Sequence, residues 1–385
     1  MGFLVFGIGL SAEENDLNSY RRNFARADLE AKVSVVRDAA ADEGASEFVG
    51  QFYEFILKFS LQNAEVLQDD VDFITLTMLA SFGVGAVGHK ASENTLWSVF
   101  SAVKAPAVRV AALGSMALLA PGNPWITENL NHYVVNQNEL IRSGAEPDYL
   151  TLSACISTLG ALKDGSSVPV LLGVMTSGYK ESITAEAAAV LKTLPANYYP
   201  YLINVIRQTP PAEKLAAYTV AIDNENFSDK RGELAEIALE VGLTFPGSGK
   251  EVTALNDMRY AAAVVLGELK WSRAANLVIR HYYRVQQDYQ EGKAPRERLA
   301  EAIACMGVMG SSDAARALTF QLGYLNSLLE QHYGYDDANV VIEVVNALGE
   351  LGDKAAYDPL LYMSYLPYPE EVKTAAKEAR DRLKW

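Results

Sequence analysis

Four histidines are the side chains in this sequence best suited to acid–base or metal chemistry: His89, His132, His281 and His332. None is followed by glutamate, and no two lie at the spacing of metal ligands. A histidine without a converging partner is more often a surface or helix-packing residue than a functional one. We therefore predict no catalytic residue, no metal site and no cofactor.

The segment Phe245–Glu251 resembles half of a phosphate-binding loop, because it contains a Gly-Lys pair after a further glycine. The full motif needs a first glycine separated from that pair by four residues, and a hydroxyl residue directly after it. Thr244 and Glu251 occupy those two positions. We therefore interpret Leu243–Asn256 as a flexible loop between helical elements.

Two acidic clusters carry the oxygen ligands that calcium prefers. They are Asp69, Asp70 and Asp72, and the pair Asp336 and Asp337. Neither has the alternating ligands, the fixed glycine and the distal glutamate of a calcium loop. We predict instead that these carboxylates lie at helix N-termini, where the helix dipole stabilises negative charge.

The cysteine content gives no framework for disulfides or metal binding. Cys155 and Cys305 both lie inside apolar runs with helical spacing. Free cysteine behaves as a small hydrophobic residue in such a setting. We predict that both are buried thiols.

The charge of the chain excludes one class of partner. Its 33 basic and 48 acidic residues give a net charge of −15. A surface of this sign repels nucleic acid and anionic lipid. The charge serves solubility first, and a protein partner with a basic surface is the alternative interpretation.

The elements that would position any site are clearest near the C-terminus. A row of apolar residues at helical spacing predicts one buried helix face, formed by Val341, Val344, Val345, Leu348 and Leu351. Gly352 can end this helix in the left-handed conformation. Asp358 and Pro359 are typical of the start of a second helix. One helical hairpin cannot bury its own apolar faces, so it needs similar neighbours.

The stretch Ala347–Asp353, followed by Asp358–Leu361, resembles the repeat of HEAT-type α-solenoid proteins, especially the bacterial variety related to the PBS lyases. The resemblance implies an all-α stack of helical hairpins in which the second helices line the inner surface. Some proteins similar in architecture hold a di-iron centre through paired His-Glu steps. This sequence contains no such His-Glu pairs, so the resemblance does not imply a di-iron activity.

Looser copies of this hairpin can be traced through the chain, and we predict about nine, followed by a capping helix over Glu370–Leu383. Equivalent positions recur at irregular intervals, from 31 residues between Gly83 and Gly114 to 46 between Gly114 and Gly160. This scatter argues against the fixed period of ankyrin or tetratricopeptide repeats. The expected irregularities are a glycine-rich turn at residues 83–88, a turn insertion at 121–125 and a polar extension at 131–148.

The length of 385 residues exceeds the roughly 250–300 residues that one compact core usually reaches. No Pro/Ser-rich linker divides the chain, which favours a single solenoid over residues 28–385 with a lead-in at 13–27. The apolar run Phe3–Leu10 is too short to span a bilayer, and no other stretch is a transmembrane candidate.

Residues 1–12 resemble the end of a secretory signal, since small residues follow the apolar run. The positively charged stretch of such a signal is not present in the sequence. Two interpretations stay open. In the first, an export signal leaves its remnant here and the protein is periplasmic. In the second, a short apolar N-terminus packs on the first repeat of a cytoplasmic protein.

The remaining signal is aromatic and basic. In the predicted helix Ala274–Gln290, the side chains of Arg280, Tyr283 and Arg284 lie off the apolar face. Tyrosine and arginine are enriched at interface hot spots. We select these three residues, together with Tyr324 and Tyr335, as candidate binding residues. Tyr335 lies in a loop, 332–337, that is longer than a hairpin turn requires.

Three functions follow as hypotheses. The first is a non-enzymatic scaffold that binds another protein through the solenoid surface. The second is a small-molecule-handling or lyase-like enzyme, because the bacterial HEAT-like repeats also occur in proteins that resemble phycobilin lyases. The third is a structural component of an envelope or motility assembly.

Overall fold

A computed structural model describes residues 12–41, 46–193, 195–335 and 337–384. Within these ranges the regular structure consists of twenty α-helices and short 3-10 turns, with no β-strand. This confirms the all-α prediction. The apolar run Phe3–Leu10, on which the export hypothesis depends, lies outside the described residues.

The chain forms two compact units, and the second begins at Pro195. The helices of the first unit are α1 (Ala12–Arg26), α2 (Leu29–Ala40), α3 (Ser46–Leu67), α4 (Val71–Ala86), α5 (Glu93–Ala102), α6 (Pro106–Leu119), α7 (Pro124–Arg142), α8 (Tyr149–Leu162), α9 (Val168–Thr176) and α10 (Glu181–Lys192).

The second unit contributes the other half of the helices. They are α11 (Tyr199–Gln208), α12 (Pro211–Ile222), α13 (Arg231–Thr244), α14 (Lys250–Glu268), α15 (Ala275–Gln290), α16 (Arg296–Gly307), α17 (Ser312–Glu330), α18 (Ala338–Leu351), α19 (Tyr357–Tyr362) and α20 (Glu370–Asp381).

Within each unit the helices alternate between two layers. In the second unit, α12, α14, α16, α18 and α20 pack successively on one another, and α11, α13, α15, α17 and α19 form the other layer. The first unit repeats this pattern. One layer contains α2, α4, α6, α8 and α10, and the other contains α1, α3, α5, α7 and α9. The predicted hairpins within the units correspond to the pairs from α2–α3 to α8–α9 and from α12–α13 to α18–α19, each with a first and a second helix.

The hairpin α18–α19 largely follows the prediction. Val341, Val344, Val345 and Leu348 are buried. Gly352 ends α18 at φ 65°, and its N–H donates to the carbonyl of Leu348 at 3.0 Å. The start of α19 differs, because Asp358 lies inside its first turn instead of capping it.

Asp353 caps the 3-10 turn ahead of α19, and its carboxylate accepts from the N–H of Ala355 at 2.9 Å. Asp358 was predicted for this role. The two aspartates lie five positions apart in the sequence, and the short 3-10 turn between them moves the capped position towards the N-terminus.

The predicted turn over 121–125 is confirmed at residues 121–123, which connect α6 to α7, but the predicted polar extension over 131–148 is wrong, since residues 131–142 belong to helix α7. Asn123 caps α7 through its side chain, and Pro124 occupies the first turn. The helix looks polar because it buries Asn131 and Asn138 among its apolar residues. Asn131 donates to the hydroxyl of Ser166 at 3.3 Å, which compensates part of the cost of burying the amide.

The predicted loop over 243–256 is also too long. Helix α13 continues to Thr244 and α14 begins at Lys250, which leaves a short connection between them. The side chain of Glu251 accepts from the backbone N–H of Ser248 at 3.1 Å, which closes the connection just before α14.

Two glycines predicted to lie in a turn, Gly83 and Gly85, belong to α4. A Cβ atom on Gly83 would overlap the ring of Tyr53, and one on Gly85 would overlap the side chain of Ser115 on α6. These glycines therefore permit close packing between helices. Gly88, at φ 72°, is the one that forms the turn.

The same small-residue contact recurs in the second unit. A Cβ on Gly307 of α16 would lie 2.9 Å from both Cα and Cβ of Ala347 on α18. A Cβ on Gly349 of α18 would lie 3.0 Å from Cα of Ala379 on α20. First helices therefore approach one another closely where a glycine faces a small residue.

We expect Gly307→Ala to lower the free energy of unfolding by about 1–3 kcal/mol in urea titrations, because the added methyl group meets backbone atoms that cannot rotate away. The matched control is Gly323→Ala in α17, where a Cβ meets nothing within 4 Å. The control should raise stability by up to about 1 kcal/mol, the helix-propensity gain. Equal effects at the two positions would contradict the close-packing account.

Candidate functional site

The structure places Arg280, Tyr283 and Arg284 on the exposed face of α15. The opposite face buries Ala275, Val278, Tyr282 and Val285, as their spacing predicts. The three candidate residues are therefore available at the surface, with Tyr283 and Arg284 about one helical turn beyond Arg280.

These three side chains line one cavity of about 460 Å³ at the α13–α14 connection. The other lining residues come from α13, the connection and α14: Gly242, Leu243, Phe245, Gly247, Val252, Leu255, Asn256 and Arg259. The lining thus combines three arginines with apolar side chains and contains no acidic residue. The charge of this lining is therefore positive, whereas the whole chain has a net charge of −15.

Arg259, one of the lining residues, belongs to a buried ion pair. Arg259 of α14 is 1% exposed, and its Nη2 lies 3.1 Å from Oδ2 of Asp288, which is 4% exposed. Arg284 reaches the same carboxylate, with Nε 3.2 Å from Oδ1. Asn256 accepts a further hydrogen bond from Arg259 at 3.1 Å. The pair joins α14 to α15 and fixes the position of Arg284.

Sequence reasoning missed Arg259 and Asp288, although the helical period contains the signal. Arg259 falls in register with the buried residues of α14, namely Leu255, Met258, Ala262, Ala263 and Leu266. Asp288 follows Val285 by three positions on the buried face of α15. Opposite charges at core positions of consecutive helices indicate a buried pair, because an unpaired buried charge is too costly.

His281 is buried beside this pair and is 1% exposed. Its ring packs edge-on against Tyr260, with centroids 5.7 Å apart. Burial, followed by the positive charges of Arg259 and Arg298, lowers the pKa of His281 to about 3. The imidazole is therefore neutral and serves helix packing, which agrees with the interpretation of the histidines from the sequence.

Tyr324 and Tyr335, the other two candidates, line a second cavity of about 580 Å³. It lies between α15, α17 and the α17–α18 loop, and its lining includes Tyr289, Tyr333, Gln286, Gln290 and Gln321. Tyr335 packs against Tyr368, with ring centroids 5.2 Å apart. The loop that was selected for its length therefore presents tyrosines beside α17.

The two cavities lie along one row of second helices. Arg280 and Tyr283 also face Phe320 of α17 across a shallow depression. Gln286 on α15 donates to Gln321 on α17 at 2.6 Å, and the hydroxyl of Tyr362 on α19 donates to Glu330 on α17 at 2.9 Å. These contacts hold α15, α17 and α19 in fixed relation, so the five predicted residues belong to one surface.

The remaining motifs have structural roles. Asp70 caps α4 by accepting from the N–H groups of Asp72 and Phe73, and Asp337 caps α18 by accepting from Asn339. The predicted helix N-terminal role is therefore confirmed for these two carboxylates. Asp336 lies outside the described residues.

Both cysteines are free and buried, as predicted. Burial raises the pKa of the Cys305 thiol to about 12 and moves that of Cys155 further upward, so neither thiol is activated as a nucleophile. Among the residues that the structure describes, no three His, Cys, Asp or Glu side chains are placed to hold a metal ion.

Comparison with known families supports the repeat assignment. The model of the PBS lyase HEAT-like repeat matches residues 340–361, which cover most of α18 and of α19. No curated protein matched the sequence. The match and the all-helical architecture together support a HEAT-repeat helical protein with an α-solenoid fold, which confirms the resemblance identified from Ala347–Leu361.

The hydropathy of the helices bears on membrane insertion. In the described parts of the chain, no helix combines the length and the apolar character needed to cross a bilayer.

The buried state of His281 predicts a pH-dependent stability. Below about pH 6.5 the unfolded chain takes up a proton at this residue, whereas the folded protein does not until about pH 3. Stability is therefore lost as pH falls through this window, by about 1.4 kcal/mol for each pH unit.

We expect His281→Gln to remove this component. Urea unfolding at about pH 7 and about pH 4.5 should show the wild type losing about 2–3 kcal/mol more than the variant. Substitution of the exposed His132 by Gln is the matched control and should leave the wild-type pH dependence in place. Parallel pH profiles of wild type and His281→Gln would contradict the burial of a neutral imidazole.

Proposed function

We propose that this protein is a non-enzymatic scaffold that binds another protein. The binding site is the second-helix surface of the second unit, defined here as the solvent-facing sides of α11, α13, α15, α17 and α19 with the segments that directly follow them. HEAT-like repeats generally act as protein-interaction scaffolds, and this supports the class of function.

One observation carries the proposal. Among the described residues of the second unit, every exposed aromatic side chain belongs to the second-helix surface: Tyr201, Tyr283, Phe320, Tyr324, Tyr333, Tyr362 and Tyr365. Phe320, Tyr333 and Tyr365 are each 76% exposed. The first helices α12, α14, α16, α18 and α20 expose none.

An uneven distribution of this kind has a physical cost. Exposed aromatic rings raise the tendency to aggregate, and clustered apolar surface on a soluble chain marks interaction sites. Tyrosine anchors are well suited to binding, because they supply large contact area with few rotatable bonds. Tyr362 is further restrained by its hydrogen bond to Glu330, so part of the surface is already ordered.

The charge of the chain supports a further expectation about the partner. A net charge of −15 favours association with a protein whose surface is basic on average. Long-range attraction of this kind speeds encounter, whereas the aromatic contacts supply most of the affinity. The exported, periplasmic location stays a prediction, since it depends on residues 1–12.

The proposal can be tested by purifying tagged protein from its native cells. We expect Phe320→Ser combined with Tyr324→Ser to reduce recovery of a stoichiometric partner by more than tenfold, because each buried aromatic anchor typically contributes about 2 kcal/mol or more. Val264→Ser on α14 removes an exposed apolar side chain from the first-helix layer and is the matched control.

Unchanged recovery with the double variant would contradict the proposed surface. A small molecule retained in stoichiometric amount, with no protein partner, would favour the lyase-like alternative. Constant co-fractionation with one large assembly, independent of Phe320 and Tyr324, would favour the structural role.

A further inference from the structure

We infer that the arginine-lined cavity between the α13–α14 connection and α15 binds glutamate or aspartate side chains of an acidic segment of the protein partner. This inference rests on the proposed function and names the chemistry that one part of the second-helix surface recognises.

The arginines of the cavity give it a positive local charge. Arg280 and Arg284 lie at i and i+4 on α15, a spacing at which like charges repel. Arg280 has no ion pair or hydrogen bond with any described residue, although acidic residues are abundant in the chain. An arrangement that keeps the unpaired charge of Arg280 beside Arg284 is suited to an external anion.

The other two arginines of the lining are only partly neutralised. Arg259 and Arg284 share the single carboxylate of Asp288. The group of three arginines therefore keeps an excess of positive charge after Asp288 is counted. The Nε of Arg259 is buried and makes no hydrogen bond. Arg259 also lines the cavity, so a buried donor group contributes to its floor.

The surroundings of the cavity favour a carboxylate over a phosphate. Phosphate sites typically use the free N–H groups of a helix N-terminus. Here Glu251 lies in the first turn of α14, and its negative charge opposes a dianion at that helix N-terminus. Arginine forks match the planar geometry of a carboxylate as well as a phosphate, so a carboxylate needs no backbone amides here.

Apolar side chains form another part of the lining. Leu243, Phe245, Val252 and Leu255 surround the arginines, and Tyr283 stands at the rim with 47% exposure. An apolar wall favours a charged group carried on methylene groups, as in glutamate, over a free inorganic ion. Phe320, which faces Tyr283, would accept an apolar neighbour in the same segment.

The test uses a fluorescein-labelled peptide of alternating glutamate and leucine, eight residues long, in a buffer of low ionic strength. Its matched control replaces each glutamate by glutamine. Fluorescence anisotropy with the full chain should give binding of the glutamate peptide at least about tenfold tighter than that of the glutamine peptide, because each charge-assisted hydrogen bond is strong. Equal binding of the two peptides would overturn the inference.

Substitutions locate the site. Arg280→Gln with Arg284→Gln should weaken binding of the glutamate peptide by about tenfold or more. Arg207→Gln is the control, since Arg207 is also exposed on a second helix but does not line the cavity. Equal loss with the control would mean that general charge attraction is responsible, and the inference would fall.

A third peptide, with phosphoserine in place of glutamate, separates the two anion chemistries. Weaker or equal binding of this peptide supports the carboxylate, whereas clearly tighter binding overturns that choice. These peptide results are independent of partner recovery. Partner recovery that depends on Phe320 and Tyr324 but not on Arg280 and Arg284 would leave the scaffold function standing and remove this inference.

Discussion

The close approach of successive first helices is the constraint on which the rest of the structure depends. At these contacts a glycine or another small residue faces the next helix, as in Gly307 against Ala347. Polar side chains then bridge the narrow gap. Ser115 donates to the carbonyl of Ser81 at 2.6 Å, and Cys305 donates to that of Ala263 at 3.2 Å. Such spacing leaves no room for large side chains, so the first helices form a tightly packed layer.

The second helices meet a different requirement. They bury one face against the first layer and leave the other to solvent, and the exposed aromatics and the unpaired Arg280 of the second unit occur there. The buried pair of Arg259 and Asp288 joins the two layers at this point. A buried ion pair is weak evidence for stability, since its desolvation cost is large. Its clearest effect here is to hold α15 and Arg284 in position beside the cavity.

Much of the architecture could be predicted from the sequence because apolar periodicity and helix-ending glycines depend on residues that are close together in the chain. The hairpin α18–α19 was identified from Val341 to Leu351 for this reason. Helix α7 was missed because buried Asn131 and Asn138 break the apolar pattern, and their partners are distant in sequence. The glycines of α4 were assigned to a turn because sequence alone does not reveal that Tyr53 and Ser115 pack against them.

The candidate site was predictable in part. Arg280, Tyr283 and Arg284 could be placed off the core by counting residues on one helix. Phe320 was not selected, although it is more exposed than Tyr324, because the pattern of α17 alone does not tell which positions the neighbouring helices cover. The cavity beside Arg280 is lined by three separate elements, and Asp288 pairs with two of its arginines. It could be recognised only once these were brought together in space.

The most direct test of the central claim is site-specific photo-crosslinking in the native cells, with a photoreactive amino acid at position 320 in one strain and at position 264 in another. Both positions are exposed, one on the second-helix surface and one on a first helix. The account predicts one defined protein adduct from position 320 and none from position 264. The same adduct from both positions, or an adduct from position 264 alone, would contradict a partner-binding role for the second-helix surface.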